Sequence, residues 1–339
     1  MDLTPHRLGL LAGVAAVAAA LAAPVVADDA ALRTLAGVFM FAALASAWNI
    51  IGGFAGYASF GNVVFFGLGG YTVAVLMVHA GWGFWPALPV AVAVGAAYAA
   101  LIGLPVLRLR GHYFAIATLG VAEGTREVVL NLSSLTGGGA GITVPVLGSK
   151  ATTTYPGNTA FYYLFLAALG VAVAAAFAVS RSRFGYGLRA IHDDEQGAAA
   201  TGINTTRAKL AAFALSGALT ALVGALFAFQ QVTIYPERLF SVEITVLMVA
   251  MAVIGGVGTV VGPVIGAVGL QLLAEYLRQR YLNLHLIVFG SLLAAVVVLM
   301  PEGLVSSAGQ AWRERQLGRQ QGRQVKLPSL LDTVRRYRV

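Results

Sequence analysis

Three charged residues, Glu123, Arg126 and Glu127, lie in a stretch that is otherwise largely apolar. A spacing of three places Glu123 and Arg126 on adjacent positions of one helix face, where an acid and a base can form an ion pair. A charge inside a bilayer costs at least about 2.5–3.5 kcal/mol, so we expect these side chains to face the protein interior and to pair. Two roles are open: the wall or gate of a transport path, and a structural ion pair.

A second charged group lies in the stretch Phe184–Leu210, between two apolar segments. It includes basic residues and three consecutive acidic residues at 193–195. Residues 193–200 are enough for about two helical turns, and Gly202 then supplies a stop, as glycine often does just past a helix end. The pattern predicts either a short surface helix that docks a soluble partner or a solvated loop that only connects two spans.

Several kinds of catalytic and cofactor site are missing from the sequence. The chain has no cysteine, which excludes thiolate metal sites and a cysteine nucleophile. It has no G-x-x-x-x-G-K-[ST] phosphate loop, no H-E-x-x-H zinc motif and no G-x-S-x-G nucleophile motif. We therefore expect no catalytic residue, no metal, no cofactor and no self-contained P-loop ATPase in this chain.

The composition determines which elements must position these residues. Hydrophobic residues make up 58% of the chain and charged residues 11%, against about 25% charge in an average globular protein. Apolar runs near 20 residues recur, and each can span a hydrocarbon core of about 30 Å as a helix. The sequence predicts an all-α polytopic membrane protein. The net charge of +8 then reflects the positive-inside bias, and we expect no nucleic-acid partner.

We predict ten spans, with Gly-rich broken elements among them. The first could instead be a signal peptide ending near Ala27, although its apolar run is long. The glycines of the stretch Gly255–Gly269 predict a broken or re-entrant element. The spans are roughly 7–26, 33–51, 60–79, 85–107, 112–132, 160–180, 206–231, 241–257, 260–278 and 283–300.

The distribution of Lys and Arg predicts the orientation. Basic residues gather in three places: the loop with Arg108 and Arg110, the loop 181–209, and the tail 305–339. Ten spans place all three with both termini on the cytoplasmic side. The chain then divides into a transmembrane domain, 1–304, and a basic cytoplasmic tail that lies on anionic lipid or is disordered.

Glu243 lies at the start of the eighth span, near the outer face in this topology. It could contact an extracytoplasmic protein, or it could stabilise the helix N-terminus, where a carboxylate is favourable.

Two glycine-rich stretches resemble each other. IIGGFAG, ending at Gly56, is similar to VIGGVG at 253–258, and each precedes an apolar run that contains glycines. The similarity could be a remnant of an internal repeat, or the glycines could simply allow close helix packing. Candidate path or gate residues in these stretches are Gly53, Gly56, Gly255 and Gly256.

Five stretches, in order and spacing, resemble the branched-chain amino acid type of ABC importer permease. The resemblance runs from about residue 33 to residue 304. The stretches are WNIIGGFAGYASFGNVVFFGLGGYT, LRLRGHYFAIATLGVAEGTREVV with LTGGGAGI, SRFGYGLRAIHDDEQGAAATGINTTRAKLAAFALSGALTALVGALFAF, VEITVLMVAMAVIGGVGTVVGPVIGA and MPEGL.

This resemblance implies that a cytoplasmic ATPase drives the chain through a short coupling helix. A degenerate Glu-Ala-Ala…Gly coupling signature is present, although Gln196 and Gly197 interrupt it. The residues implied for ATPase coupling are Arg189, Asp194, Glu195, Ala198, Ala199 and Gly202. Implied partners are two ATPase subunits, a second homologous permease, an extracytoplasmic solute-binding protein, which Glu243 is a candidate to contact, and membrane lipid. The implied location is the bacterial cytoplasmic (inner) membrane.

The function expected from the resemblance is inward transport of a small solute, above all branched-chain or other hydrophobic amino acids. Close relatives that transport urea or short amides leave that solute open. A self-sufficient secondary transporter or channel would need intramembrane ionisable residues forming a relay, and only the 123–127 group qualifies.

Overall fold

The computed structural model describes residues 18–145, 153–280 and residue 290. The start of the first predicted span, nearly all of the tenth, and the basic tail 305–339 lie outside the described residues. The described helices are labelled in chain order, apart from single turns: α1 (Asp29–Asn49), α2 (Val63–His79), α3 (Phe84–Val106), α4 (Gly111–Asn131), α5 (Asn158–Arg181), α6 (Arg183–Asp193), α7 (Glu195–Ala200), α8 (Thr205–Gln231), α9 (Val242–Gly255) and α10 (Gly262–Arg280).

The predicted all-α architecture is confirmed in the described chain, apart from one two-residue strand pair. Five helical stretches there are long and apolar enough to cross a membrane: Asp29–Phe54, Phe84–Val106, Asn158–Arg181, Thr205–Gln231 and Pro236–Gly255. Their bounds lie within a few residues of the predicted spans, because uninterrupted apolar runs determine both. The total of ten spans and the cytoplasmic location of both termini stay predictions.

Several helices begin at a side chain that accepts a free backbone N–H of the first turn. Asp28 accepts from the Ala31 nitrogen at 2.8 Å before α1, and Asn204 accepts from the Arg207 nitrogen at 3.0 Å before α8. Ser182 accepts from the Gly185 nitrogen before α6. These residue types satisfy N–H groups that would otherwise lack a partner, which is why the helices start where they do.

Helix α8 is the centre of the bundle. It packs along α2 and α3, while α1 packs along α5 and α10, and α9 packs against α10. Glycines allow the backbones to approach closely: Gly224 of α8 lies against the backbone of Phe66, and Gly69 of α2 lies against the backbone of Ala221. Small residues at such contacts are the usual means of helix association in membranes.

Two helices are interrupted at the glycine-rich stretches. Helix α1 continues into a π-helical turn, Ile50–Phe54, and irregular chain then leads to α2 at Val63. Helix α9 ends at Gly255, and α10 starts at Gly262. The predicted break after Gly255 is therefore confirmed, but it is confined to residues 256–261, and α10 is helical through Gly269.

The loops after α4 and α8 meet at the C-terminal end of α2. Strand β1 (Ile142–Thr143) pairs antiparallel with β2 (Thr233–Ile234), with Ile142 opposite Ile234. His79, the last residue of α2, contacts the Leu135 carbonyl at 3.0 Å. A single turn, Pro236–Leu239, follows β2 and leads towards α9.

Candidate functional site

The segment between α5 and α8 forms two short helices, α6 and α7. Asp194 caps α7, its carboxylate accepting the Gln196 N–H at 3.0 Å. The helix ends at Ala200, Gly202 follows with a φ of +91°, and the Ile203 N–H returns to the Ala198 carbonyl at 3.2 Å. A short helix and its glycine stop are thus confirmed, but the helix starts at Glu195 rather than at Asp193, because Asp193 ends α6 and Asp194 caps α7. We call residues 183–202 the coupling segment.

Helix α7 has two different faces. The side chains of Glu195 and Ala198 point inward, and Ala198 is 4% exposed. Ala199, Ala200 and Gly202 are exposed. The predicted coupling residues therefore separate into an inward pair and an outward group, with Asp194 as the cap.

Arg189 lies on α6, where its guanidinium is exposed and lies 5.6 Å from the ring centre of Phe54. It is also 5.9 Å from the Tyr186 ring centre. Arg189 is thus placed to stiffen the contact between α6 and the π turn, since cation–π contacts of this range are modestly stabilising.

Glu195 fastens α7 to the ends of three other elements. Its Oε1 is 2.6 Å from Lys209 Nζ of α8, and its Oε2 accepts the Tyr57 hydroxyl at 2.7 Å. Arg110, just before α4, lies 3.0 Å from the same Oε2. Lys209 also donates to the Leu107 carbonyl at 3.0 Å, past the end of α3. We call this group the inner ionic network.

Most of the inner ionic network is buried, although the Arg110 side chain is 57% exposed, and two basic side chains of the same chain neutralise the Glu195 carboxylate. Lys209 is 4% exposed, although lysine is almost never buried without a partner. Burial by itself would raise the pKa of the Glu195 carboxyl, but hydrogen bonds from Lys209 and Tyr57 and the nearby charges of Lys209 and Arg110 outweigh it and lower the pKa. Burial and the bond to Glu195 raise the pKa of Tyr57, so its hydroxyl stays a donor.

A second contact joins the coupling segment to the interruption between α1 and α2. We call this interruption, residues 50–62, the first break. His192, on α6, lies with Nδ1 3.1 Å from the Gly53 carbonyl oxygen in the π turn. Gly56 follows with a φ of +74°, and a Cβ there would lie 2.9 Å from the His192 ring. Glycine is required at this position for both reasons.

The two glycine-rich stretches, whose sequences resemble each other, lie in contact. A Cβ on Gly53 would be 2.7 Å from the Gly258 nitrogen. Gly255 likewise lies against the backbone of Gly262, where α9 and α10 meet. Gly256 has a φ of +122°, a conformation that favours glycine. The interpretation that these glycines permit close packing is supported, and their role as a path or gate stays a prediction.

A cavity of about 410 Å³ opens between the coupling segment, the first break and the start of α4. Its lining combines apolar surface, such as Phe114 and Ile191, with polar and charged groups. The polar groups are Tyr57, Arg110, His112, His192 and Glu195. The inner ionic network thus forms one wall of a partly polar space at the end of the bundle.

The charged residues of α4 pair as predicted, but they do not face the interior of this chain. Arg126 Nε is 3.0 Å from Glu123 Oε2, and its Nη2 is 3.1 Å from Glu127 Oε1. The side chains of Glu123 and Glu127 are 44% and 57% exposed. The expectation of burial within the chain is wrong, because α4 buries its opposite face, Phe114, Thr118, Ala122, Thr125 and Val129. We call residues 123, 126 and 127 the α4 ionic cluster.

Glu243 lies in the first turn of α9, where it is exposed. The start of α9 lies beside the first half of α2: Thr245 Oγ1 accepts the Val63 N–H at 3.2 Å, and Phe240 stacks on Tyr71 at 6.0 Å. Glu243 is thus separated from the loops at the far end of α2, where its predicted outer location would put it. First-turn placement fits a helix-dipole role, and contact with a binding protein stays a prediction.

Sequence reasoning missed four residues that hold the site together: Tyr57, Lys209, Asn49 and His192. Lys209 was counted only as a basic loop residue. Its signal was its position inside the apolar run of α8, where a lysine requires a buried acid. Asn49 carried a similar signal, as a polar residue at the end of the apolar α1 and shortly before a glycine pair.

Comparison with known proteins places these features in a family. Residues 30–297 match the family described as branched-chain amino acid transport system, permease component. The high-affinity branched-chain amino acid transport system permease protein LivM of Salmonella typhimurium is 33% identical over 280 residues, and that of Escherichia coli is 31% identical. Each alignment covers 76% of this chain and 65% of the relative, so the chain spans about two thirds of their length. No solved structure matches this chain.

The match covers α1 to α10 and includes both helix breaks, the coupling segment and α4. Together with the apolar helices, it shows a multi-pass membrane protein. The chain belongs to the permease-component family of branched-chain amino acid transport systems.

Proposed function

We propose that this chain is a permease subunit of an ABC importer in the bacterial inner membrane, and that it moves branched-chain or other hydrophobic amino acids inward. The observation that carries the proposal is the build of α7. Its outer face is exposed, and its inner face is fastened by Glu195 to Tyr57, Lys209 and Arg110. A helix of this kind can transmit a displacement from a soluble protein to the membrane helices.

The force would come from separate ATPase subunits. In the family, the coupling helix sits in a cleft of the ATPase, and the outward residues Ala199, Ala200 and Gly202 are small enough to enter such a cleft. The inward Glu195 would act as a positioning residue that keeps α7 fixed to α8 and to the start of α4. Two ATPase subunits would serve a pair of permeases.

A second permease subunit is supported by the exposed face of α4. Glu123 lies 12 residues after Gly111, about 18 Å along the helix at 1.5 Å per residue, which is near mid-membrane in the proposed topology. Contact with lipid there would cost several kcal/mol for charged side chains. Gly120 and Gly124 have no described atom within 4 Å of an added Cβ, so the same face offers a flat surface for a second helix.

The translocation path would then run between the two permeases along this face. The α4 ionic cluster would form a polar part of its wall, and an extracytoplasmic binding protein would deliver the solute. The cluster presents both carboxylates and a guanidinium, which suits an amino acid, since that solute carries one positive and one negative charge.

The proposal is tested with the affinity-tagged chain purified from its native membranes in mild detergent. An ATPase, a second permease and ATP-driven uptake of tritiated leucine in liposomes containing the binding protein are the expected results. Uptake that proceeds without ATP, driven by a proton or sodium gradient, would contradict the proposal and favour a secondary transporter. ATP-driven uptake of urea or acetamide in place of leucine would correct the solute and leave the importer assignment intact.

A further inference from the structure

The contact between the coupling segment and the first helix break has a defined polarity. A carbonyl oxygen only accepts hydrogen bonds, so at 3.1 Å from the Gly53 oxygen the His192 Nδ1 must carry the proton. The donor belongs to α6, and the acceptor belongs to the π turn that ends α1. A displacement of α6 therefore acts directly on the backbone of the first break through this hydrogen bond.

Asn49, which is fully buried, joins the first break to residues 256–261 between α9 and α10. We call residues 256–261 the second break. Its Oδ1 accepts the Gly258 N–H at 2.9 Å, and its Nδ2 donates to the Thr259 carbonyl at 2.8 Å. One side chain at the end of α1 thus holds two successive residues of the loop between α9 and α10. Because Gly53 also packs against Gly258, the two breaks can hardly move independently.

The second break is itself closed by a side chain. Thr259 Oγ1 donates to the Gly256 carbonyl at 2.8 Å and accepts the Gly262 N–H at 3.0 Å. This hydroxyl links the end of α9 to the start of α10 across the irregular residues. The loop therefore has an internal frame and can be displaced as one piece.

We propose that His192 and Asn49 are positioning residues of a relay, which passes the movement of the coupling segment through Gly53 to the break between α9 and α10. The inference rests on the proposed function, since the ATPase supplies the movement. The relay runs beside the inner ionic network, which also reaches the first break through Tyr57. Glu195 ties the coupling segment to α8 and the start of α4 as well, whereas His192 contacts the π turn itself.

The chain offers a sensitive test because it contains no cysteine, so an introduced cysteine is unique within it. Val257 lies in the second break and is partly buried. Val257→Cys is introduced, and the rate of its reaction with N-ethylmaleimide is measured in the purified complex without nucleotide and with ATP plus vanadate. The relay predicts a rate difference of at least about fivefold, the lower end of typical coupling between sites.

Matched variants at His192 then isolate the hydrogen bond. His192→Asn places an N–H at the same number of bonds from Cα as Nδ1, whereas His192→Leu has a similar shape and no donor. The difference in labelling should persist in the Asn variant and fall below about twofold in the Leu variant, below the usual coupling range. ATP hydrolysis by the Leu variant should continue, with less leucine moved per ATP. Asn49→Asp, which keeps the acceptor and loses the donor, provides a second variant with an intermediate loss.

Three results would overturn the relay. The first is an unchanged labelling difference in His192→Leu, and the second is its loss in both His192 variants alike. The third is no labelling difference in Val257→Cys alone while ATP-driven leucine uptake is intact. Failure of the proposed function would look different, because no ATPase would co-purify and uptake would not require ATP; the relay would then fall with it.

Discussion

The inner ionic network and the α4 ionic cluster both pair glutamate with basic side chains, but they differ in what surrounds them. Glu195 is bound within its own chain by Lys209, Tyr57 and Arg110, and its side chain is 13% exposed. In the α4 cluster, the ion pairs of Arg126 within the described part of the chain are with neighbours on its own helix, and the two carboxylates are about half exposed. The first group is complete within one chain, whereas the second would require a neighbouring subunit to shield it.

The two groups therefore serve different contacts. A closed network can hold a moving element against the bundle, because breaking it leaves a buried charge. An open cluster adds little to the stability of its own chain, and its main contribution would be to association with a neighbouring subunit. Variants of the inner ionic network should therefore destabilise the isolated chain strongly. Variants of the α4 ionic cluster should destabilise it little and act mainly in the assembled complex.

The largest effect is expected for Glu195→Gln. The change leaves Lys209 charged and buried without a carboxylate, a situation that costs about 3–5 kcal/mol when one partner of a buried pair is removed. Thermal unfolding of the purified chain should show a large drop in midpoint. The control Glu237→Gln, at an exposed carboxylate, should stay within about 0.5 kcal/mol. Equal midpoints for the two variants would mean that the network does not fasten α7.

Acid should remove the same stabilisation from the unaltered chain. The folded-state pKa of Glu195 is lowered, so its contribution is fully present above the unfolded pKa of about 4.3 and is lost as pH falls through the folded pKa. The difference in midpoint between the unaltered chain and Glu195→Gln should be constant from pH 7 to about 5 and shrink below about pH 4. A difference that grows on acidification would contradict the lowered pKa.

A moderate effect is expected for Gly202→Ala at the end of α7. The φ of +91° is costly for any residue with a Cβ, about 1–2 kcal/mol, although the space around it is open. We expect local fraying of α7, a lower rate of leucine uptake and nearly normal global unfolding. The control Gly157→Ala, at a φ of −73° and also in open space, should leave uptake unchanged.

The smallest effect on the isolated chain is expected for Arg126→Gln. Exposed ion pairs are worth about 0–1 kcal/mol, so unfolding in detergent should change little. In the assembled complex, the variant should leave Glu123 and Glu127 unneutralised on one helix face and weaken the proposed association with a second permease. Unfolding of the isolated chain and association in the complex are both measured on the same preparation. A large loss of stability in the isolated chain, with assembly intact, would show that the cluster is structural within one subunit.

The helices were largely predictable from the sequence, and the contacts between them were not. Apolar runs and caps such as Asn204 depend on neighbouring residues, which a sequence displays directly. Lys209 and its partner Leu107 are separated by 102 residues, and Asn49 is separated from Thr259 by 210. No local pattern pairs such residues.

The candidate site shows the same limit in its details. The coupling helix and its glycine stop followed from local chemistry, but Glu195 was grouped with Ala199 although the two face opposite ways. For α4, pairing at a spacing of three was predictable, whereas the exposed direction depended on which neighbours the bundle supplies.

The central claim is that the outer face of α7 receives the ATPase. It is tested most directly by photocrosslinking from benzoylphenylalanine placed at Ala199 in cells that express the complete transporter. The matched control is the same probe at Val171, an exposed position on α5 about ten residues before the coupling segment. We expect a crosslink between Ala199 and the ATPase subunit and none from Val171. Absence of that crosslink from Ala199, with the complex intact, would contradict it.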